Sequence, residues 1–276
     1  MTTAAPSAAS APPFQRLLLT GAAGGLGRVL RPRLARLCAT LRVSDIAELG
    51  AAAPGEEVVA AKLEDAAAVL DLLTDVDAVV HLGGVSVEGP FGPILQANIV
   101  GVHNLYEGAR RHRVRRIVFA SSNHVTGFYR QDEVVSPREP MRPDGNYGVS
   151  KAFGELLSRF YFDRYGIETV CLRIGSSFPE PKDRRMLATW LSYDDLERLV
   201  VASLTAPAVG HSVVYGMSDN ATIWWDNTSD SHLGYRPQDS SERFRAAAEA
   251  REPRLDPTAP AVRFQGGAFV TRGPYE

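Results

Sequence analysis

From Phe14 onward, short apolar runs of β-forming residues alternate with longer stretches whose apolar positions recur at helical spacing. A parallel sheet with crossover helices leaves this trace in a sequence. The short runs at 16–19, 41–43, 58–60, 78–81, 117–120 and 169–174 predict strands, and 26–37, 66–73, 94–112 and 147–165 predict helices between them. After Ile174 the pattern becomes irregular, with Pro179, Pro181, Trp190, Trp224 and Trp225 around one clear helix at 194–204. Ser192 and Asp195 suit a capped start for that helix. A further helix is expected at 240–250, ahead of a proline-rich stretch, and 263–270 reads as a strand or as a wrap-around tail.

Composition narrows the class. At 276 residues, 45% hydrophobic and 22% charged, the chain can bury one large α/β core without disulfides or metals. Residues 14–276 are therefore expected to form a single domain with insertions after residue 174. Residues 1–13, rich in Ala, Ser, Thr and Pro and free of charge, are expected to be a disordered tail. A net charge of −2 lacks the basic excess that nucleic-acid binding uses. No basic start followed by an apolar run marks a secretory signal, and no stretch of the roughly 18 apolar residues needed to cross a bilayer occurs. Cys38 and Cys171 are far apart and form no metal-ligand cluster, so reduced thiols and a cytoplasmic location are expected.

Chemistry enters at Thr20-Gly21-Ala22-Ala23-Gly24-Gly25-Leu26-Gly27, directly after the first strand and at the opening of the first helix. In that context Gly21 makes a tight turn, Gly24 lets backbone N–H groups approach a pyrophosphate, and Gly27 allows close packing of helix on strand. Asp45 ends the second strand about 20 residues on, where a carboxylate meets the adenosine ribose hydroxyls and repels a 2′-phosphate. The pair points to NAD in a Rossmann-type, doubly wound α/β sheet, with the residues after 174 as a small C-terminal substrate lobe. Arg28 and Arg42 are the nearby cations that could weaken the preference for NAD.

Tyr147 and Lys151 stand four apart on the long helix and hence on one face. That spacing alone is common; its place after a strand ending Phe119-Ala120-Ser121-Ser122 is not. A phenol near its usual value of ~10 is a poor base at neutral pH, and about three units, or ~4 kcal/mol, must be removed. Lys151 and the charged nicotinamide can supply this, while Ser122 would bond the reacting oxygen and orient it. Tyr147, Lys151 and Ser122 are thus the candidate catalytic residues.

Several longer stretches resemble the extended short-chain dehydrogenases and, within them, the bacterial uronate dehydrogenases. They are His81 to Glu88 (HLGGVSVE), Phe119 to His124 (FASSNH), Tyr147 to Lys151 (YGVSK), Arg173 to Ser176, Arg185-Met186, Trp224 to Asn227 (WWDN) and Arg263 to Gly267 (RFQGG). The similarity runs from Leu17 to Val270. It implies oxidation of D-galacturonate or D-glucuronate at C1 to an aldarolactone, with NAD as acceptor, no metal and a homo-oligomeric enzyme. It also implies that Ser86, Ser122, Asn123, His124, Tyr147, Ser176 and Arg185 contact substrate. Gly21, Gly24, Gly25, Leu26, Gly27, Asp45, Leu63, Leu82, Gly83, Gly84, Asn98, Ser121, Tyr147, Lys151 and Ile174 would lie along the cofactor. Lys62 departs from the family, whose members usually carry an Asp there beside the adenine. Arg185 would pair with the C6 carboxylate that separates a uronate from an aldose.

Without the resemblance, His124 could be a satisfied loop histidine, Asn98 the support of a helix bend, and Trp224-Trp225 core packing. A nucleotide-sugar epimerase or dehydratase would share the fold and the Tyr/Lys pair. Against it stand the short segment after Ile174 and the absence of a carboxylate beside Ser122. A non-catalytic NAD(P) sensor would have no need of Tyr147 and Lys151.

Overall fold

Seven parallel strands lie in the order β3-β2-β1-β4-β5-β6-β7 in the computed structural model, which describes residues 11–252 and 254–275. They are β1 (Phe14–Thr20), β2 (Cys38–Asp45), β3 (Glu56–Ala60), β4 (Ala78–His81), β5 (Arg116–Ser122), β6 (Glu168–Ile174) and β7 (His211–Gly216). The helices are α1 (Gly25–Leu34), α2 (Ala66–Leu72), α3 (Phe91–Ile94), α4 (Gly101–His112), α5 (Asn146–Tyr165), α6 (Met186–Thr189), α7 (Tyr193–Thr205), α8 (Arg245–Arg251) and α9 (Pro260–Arg263). The expected doubly wound α/β sheet is present. Most of the tail expected at 1–13 lies outside the described residues.

Successive strand residues point to opposite faces, and the sheet sorts its apolar side chains accordingly. Leu17, Leu19, Val80, Val118 and Leu172 face α1 and α7 through Leu30, Leu34, Leu196 and Leu199. Leu18, Val79, Ile117, Phe119 and Cys171 face α2, α4 and α5 through Val69, Leu105, Tyr106 and Tyr161. Strands covered on both sides have to be apolar throughout, hence the short runs. Each large side chain buried this way contributes roughly 1.5–3 kcal/mol.

Three expectations need correction. β7 was not expected: its sequence HSVVYG opens on two polar residues that break the apolar run, yet it pairs with β6 from Thr169 to Ile174. The helix expected at 94–112 is divided, because Leu95–Val100 forms a π turn between α3 and α4. The first helix stops at Leu34, and Ala35–Leu37 tightens into a 3₁₀ turn. Of the two readings of 263–270 the structure shows the tail: α9 and a 3₁₀ turn at Gly267–Thr271, joined by one bridge from Phe264 to Arg130 in the loop after β5. Between β2 and β3 the crossover is a loop, with Gly50 and Gly55 in the left-handed region at φ 70° and 79°.

The capped start at Ser192 is present, its hydroxyl accepting from Asp195 N at 2.9 Å. Trp224 and Trp225 are packing residues, buried with Val135, Ala188 and Tyr215, and Trp225 stacks on Tyr215 at 4.8 Å.

The order of strands reverses between β1 and β4, and an open α/β sheet binds its ligands at the carboxyl ends of the strands there. The glycine loop follows β1 and the Leu82–Gly84 segment follows β4. The site is built at that edge.

Candidate active site

The glycine loop is pressed against its neighbours wherever its glycines are required. Gly21 has φ 70°, and a Cβ there would stand 2.6 Å from the carbonyl carbon of Leu82. A Cβ on Gly27 would strike the Gly21 carbonyl, so α1 can lie this close to the loop only with glycine. At Gly25 a Cβ would meet nothing within 4 Å, so the loop is open on that side. No side chain caps the start of α1, which leaves the N–H groups of Gly25, Leu26 and Gly27 without helical acceptors at the positive end of the helix. Backbone donors in an open glycine cradle are what a pyrophosphate needs, so these residues fit NAD. Asp45 ends β2 with Oδ2 accepting from Ala23 N at 3.0 Å and Oδ1 from Ala47 N at 3.0 Å, which fixes the carboxylate beside the loop. Arg42 is committed elsewhere, to Glu57 and to the carbonyls of Leu72 and Thr74. Arg28 stands exposed on α1, and Lys62 is exposed just past β3.

Beyond β4, Leu63 lies beneath Gly83, where a Cβ would come within 2.9 Å of its Cδ1. Gly84 has φ 125°, and a Cβ would meet Asn98 Oδ1 at 2.5 Å. Asn98, carried on the π turn, accepts from Val85 N at 2.7 Å and donates to Val85 O and Ser150 Oγ, both at 2.9 Å. Its amide thus fastens the β4 loop to α5. Ser86 is exposed on the same loop.

The catalytic candidates converge at the ends of β5 and α5. Tyr147 and Lys151 are buried, and Lys151 Nζ donates to Ala120 O at 2.8 Å and lies 5.6 Å from the centre of the Tyr147 ring. Burial pushes the Lys151 ammonium down to about 8. Burial also pushes the Tyr147 phenol up to about 12, against a lowering hydrogen bond from Ser122 and with a further rise from the Asp144 carboxylate. The phenol therefore starts above its usual value. Ser122 ends β5 opposite Ile174 on β6, and its hydroxyl accepts from His124 N at 3.2 Å. Ser121 turns the other way and donates to Glu155 at 2.5 Å, within a buried pair of Glu155 and Arg173 at 2.9 Å. Its side chain is committed to that pair, so its expected place along the cofactor falls to its backbone at the end of β5.

The substrate candidates of the lobe gather around Arg185. Its Nε donates to Gln265 O at 2.6 Å and Nη1 to Ser176 Oγ at 3.3 Å. The Asn123 amide, oriented to satisfy both neighbours, accepts from Nη2 at 2.8 Å and donates to Ile174 O at 3.1 Å. All three acceptors are neutral, and no carboxylate pairs with this guanidinium among the described residues. The His124 ring lies 3.8 Å from that of Phe269 in a stack and edge-on to Tyr147 at 5.8 Å.

Four residues that complete this arrangement were passed over in the sequence. Glu88 accepts from Asn146 N at 3.1 Å and Tyr147 N at 2.8 Å, capping α5 from a distant loop. Asp144 bonds His124 Nδ1 at 2.6 Å. Gln265, fully buried, donates to the carbonyls of Arg130 and Glu133 and accepts from Trp225, which pins the chain beside Arg185. Phe269 supplies the ring over His124. Glu88 and Gln265 lay inside stretches already singled out, and an Asp-Gly-Asn ahead of a helix signals a turn with capping groups; for Phe269 there was no signal.

Comparison with known proteins agrees with the fold. Residues 17–205 match the family model described as the NAD dependent epimerase/dehydratase family. A uronate dehydrogenase of Pseudomonas putida is 58% identical over 264 residues, which is 95% of this chain and 98% of that one. The crystal structure of uronate dehydrogenase from Agrobacterium tumefaciens superposes with a TM-score of 0.93 at 52% identity, covering 95% of this chain and 99% of that one. A variant of the same enzyme, solved in complex with NAD, gives a TM-score of 0.92 at 52% identity over 94% of this chain and 98% of that one. With its glycine cradle, its Tyr147 and Lys151 and this likeness over nearly its full length, the chain belongs to the NAD dependent epimerase/dehydratase family and, within it, to the uronate dehydrogenases.

Proposed function

We propose that this protein oxidises D-galacturonate or D-glucuronate at C1 of the pyranose to the aldarolactone, and that Ser122, Tyr147 and Lys151 carry the chemistry. The reading rests above all on one observation: a half-buried Arg185 held by three neutral oxygens, with no carboxylate paired to it among the described residues. A guanidinium fixed in this way is matched by a carboxylate, which it can take through two parallel bonds. That end of the pocket receives C6. Ser86, Asn123, His124 and Ser176 then hold ring hydroxyls, and C1 reaches Tyr147.

NAD, when bound, accepts the hydride that leaves C1 and brings a positively charged ring into the cleft. The remaining work falls to the chain. The anomeric O–H gives its proton to the Tyr147 phenolate as the C1–H electron pair departs, so C1 becomes a carbonyl and Tyr147 ends protonated. Lys151, at a short distance behind the phenol, favours the phenolate by its charge, and Ser122 donates to the reacting oxygen and holds it in line. Burial excludes water and strengthens each of these interactions.

Replacing Arg185 by Met tests the reading. Charge-assisted bonds to a carboxylate are worth about 1.5–3 kcal/mol, so kcat/KM for galacturonate should fall at least about tenfold, with a much smaller loss for galactose. An unchanged ratio between the two sugars would place carboxylate recognition elsewhere.

The assembly and location belong to the same proposal. Residues 14–276 act as one domain with the lobe after 174. Val149, Leu156 and Phe160 are exposed along one side of α5, an apolar stripe suited to a second copy, so the enzyme is a homo-oligomer. Among the described residues no helix is long and apolar enough to cross a membrane. The two free, buried thiols, Cys38 and Cys171, support a cytoplasmic location.

A further inference from the structure

We infer that Asp144 is a positioning residue: its buried carboxylate holds the His124 ring in the tautomer protonated at Nδ1, which leaves Nε2 to face the sugar as a hydrogen-bond acceptor. The inference rests on the assignment of His124 to the substrate pocket and adds to it the direction of the bond that His124 makes.

The geometry leaves the imidazole little freedom. Nδ1 lies 2.6 Å from Asp144 Oδ2, and an ionised carboxylate can only accept, so the proton between them sits on Nδ1. The Phe269 ring, stacked 3.8 Å away at an interplanar angle of 12°, fixes the plane of the imidazole. Nε2 has no partner among the described residues, while the His124 side chain keeps 11% of its surface exposed and that of Asp144 none. The open nitrogen is thus the one away from the carboxylate. Burial also lowers the affinity of His124 for a second proton, though the bond to Asp144 opposes this, so the ring is neutral and Nε2 carries a lone pair.

The surroundings are shaped around this carboxylate. A Cβ on Gly127 or on Gly266 would strike the Asp144 carboxylate, and one on Gly148 would come within 3.2 Å of Oδ1. Three glycines from separate segments make room for one side chain. Asp144 Oδ1 is buried without a partner, and no lysine or arginine pairs with the carboxylate among the described residues. Its charge works against ionisation of Tyr147. A buried anion that opposes the base beside it needs a local role, and orientation of His124 is the one it is placed to perform. The other charged groups facing this pair are Glu88 and Arg185.

The direction of the bond has a consequence for recognition. A sugar hydroxyl that donates to Nε2 directs its lone pairs outward, toward donors such as the Arg185 guanidinium or the Asn123 amide. An Nε2–H would demand the opposite polarity from the same hydroxyl. Fixing the tautomer therefore fixes the hydrogen-bond sense of the pocket before substrate arrives.

Long-range ¹⁵N–¹H correlation spectra of the labelled full chain at pH 8, without substrate, read the tautomer directly, and the His124 signals are identified by their loss in His124→Gln. We expect a protonated Nδ1 and a bare Nε2. In Asp144→Asn, whose amide can donate to Nδ1, the population should move toward the Nε2-protonated form. KM for galacturonate should rise about tenfold or more, with a smaller change in kcat. An Nε2-protonated or doubly protonated ring in the unaltered protein overturns the inference, as does Asp144→Asn with both tautomer and KM unchanged. Should Asp144→Asn fail to fold, the spectrum of the unaltered protein decides. Failure to oxidise uronates would remove the proposed function and leave the tautomer measurement standing.

Discussion

Tyr147 and Lys151 are each pushed by burial toward the neutral form, to about 12 and about 8. The protein on its own thus holds the proposed base in the protonated state, and from about 12 roughly five units, or ~7 kcal/mol, must be removed for it to ionise near neutral pH, which the positive charge of bound NAD has to supply together with Lys151. On the proposed mechanism, proton transfer is coupled in this way to cofactor binding. Tyr147→Phe removes the acceptor and little else. Its kcat should fall by about 10²–10⁴, the usual contribution of a general base, while NADH titration gives a near-normal Kd. Near-normal turnover in the Phe variant would show that another group takes the proton. Tyr147 and Lys151 could be found from sequence because their relation is local, four residues on one helix. Asp144 was legible only as a turn residue and Phe269 not at all, because what matters about them is which residue from another segment they touch.

At the scale of elements, the start of α5 is the clearest case. Gly145 provides no side-chain cap, and the orphan N–H groups of Asn146 and Tyr147 are taken by Glu88, a residue of the β4 loop. One carboxylate thereby satisfies two buried donors, favours the positive end of the helix and fixes where Tyr147 begins. Glu88→Ala should lower stability by about 1.5–3 kcal/mol in urea melts and reduce kcat more than it raises KM. Glu88→Gln, which keeps one accepting oxygen, should fall between; equal stability of all three would deny the cap any weight. Strand positions were readable because a buried parallel sheet demands apolar runs, and the ends were not: β1 and β2 extend beyond the runs into partly exposed residues. The π turn had no sequence signature, since Asn98 fits an ordinary helical pattern and only its hold on the Val85 backbone reveals why the helix widens.

Across the whole molecule, two properties can be measured without substrate. His81 is buried between Thr20 and Phe119, its Nε2 has no partner, and burial pushes it down to about 3. Between that value and the ordinary ~6.5 the unfolded chain binds the additional proton, so stability is lost as pH falls through this window. The imidazole should contribute a slope of up to about 1.4 kcal/mol per pH unit, present in the unaltered protein and missing in His81→Gln. Identical slopes between pH 4 and 6 would assign the acid sensitivity to other groups. The second property is assembly: Leu156, 63% exposed on α5, should be central to self-association, and Leu156→Glu should yield monomers by light scattering. An unaltered mass would move the interface to another face.

The placement of Gln265 separates the two ends of the site in order of synthesis. The parallel sheet is complete once Gly216 has been synthesised, and the glycine cradle belongs to its earliest strands. Arg185, by contrast, is held by a carbonyl that emerges only with residue 265. A chain clipped before residue 265 would keep every strand and the glycine loop but lose the carbonyl that holds Arg185, and we expect it to bind NAD while failing to turn over sugar. Cleavage in the segment before α9 should produce such a species, so an assay of cofactor binding alone would count damaged molecules as intact ones.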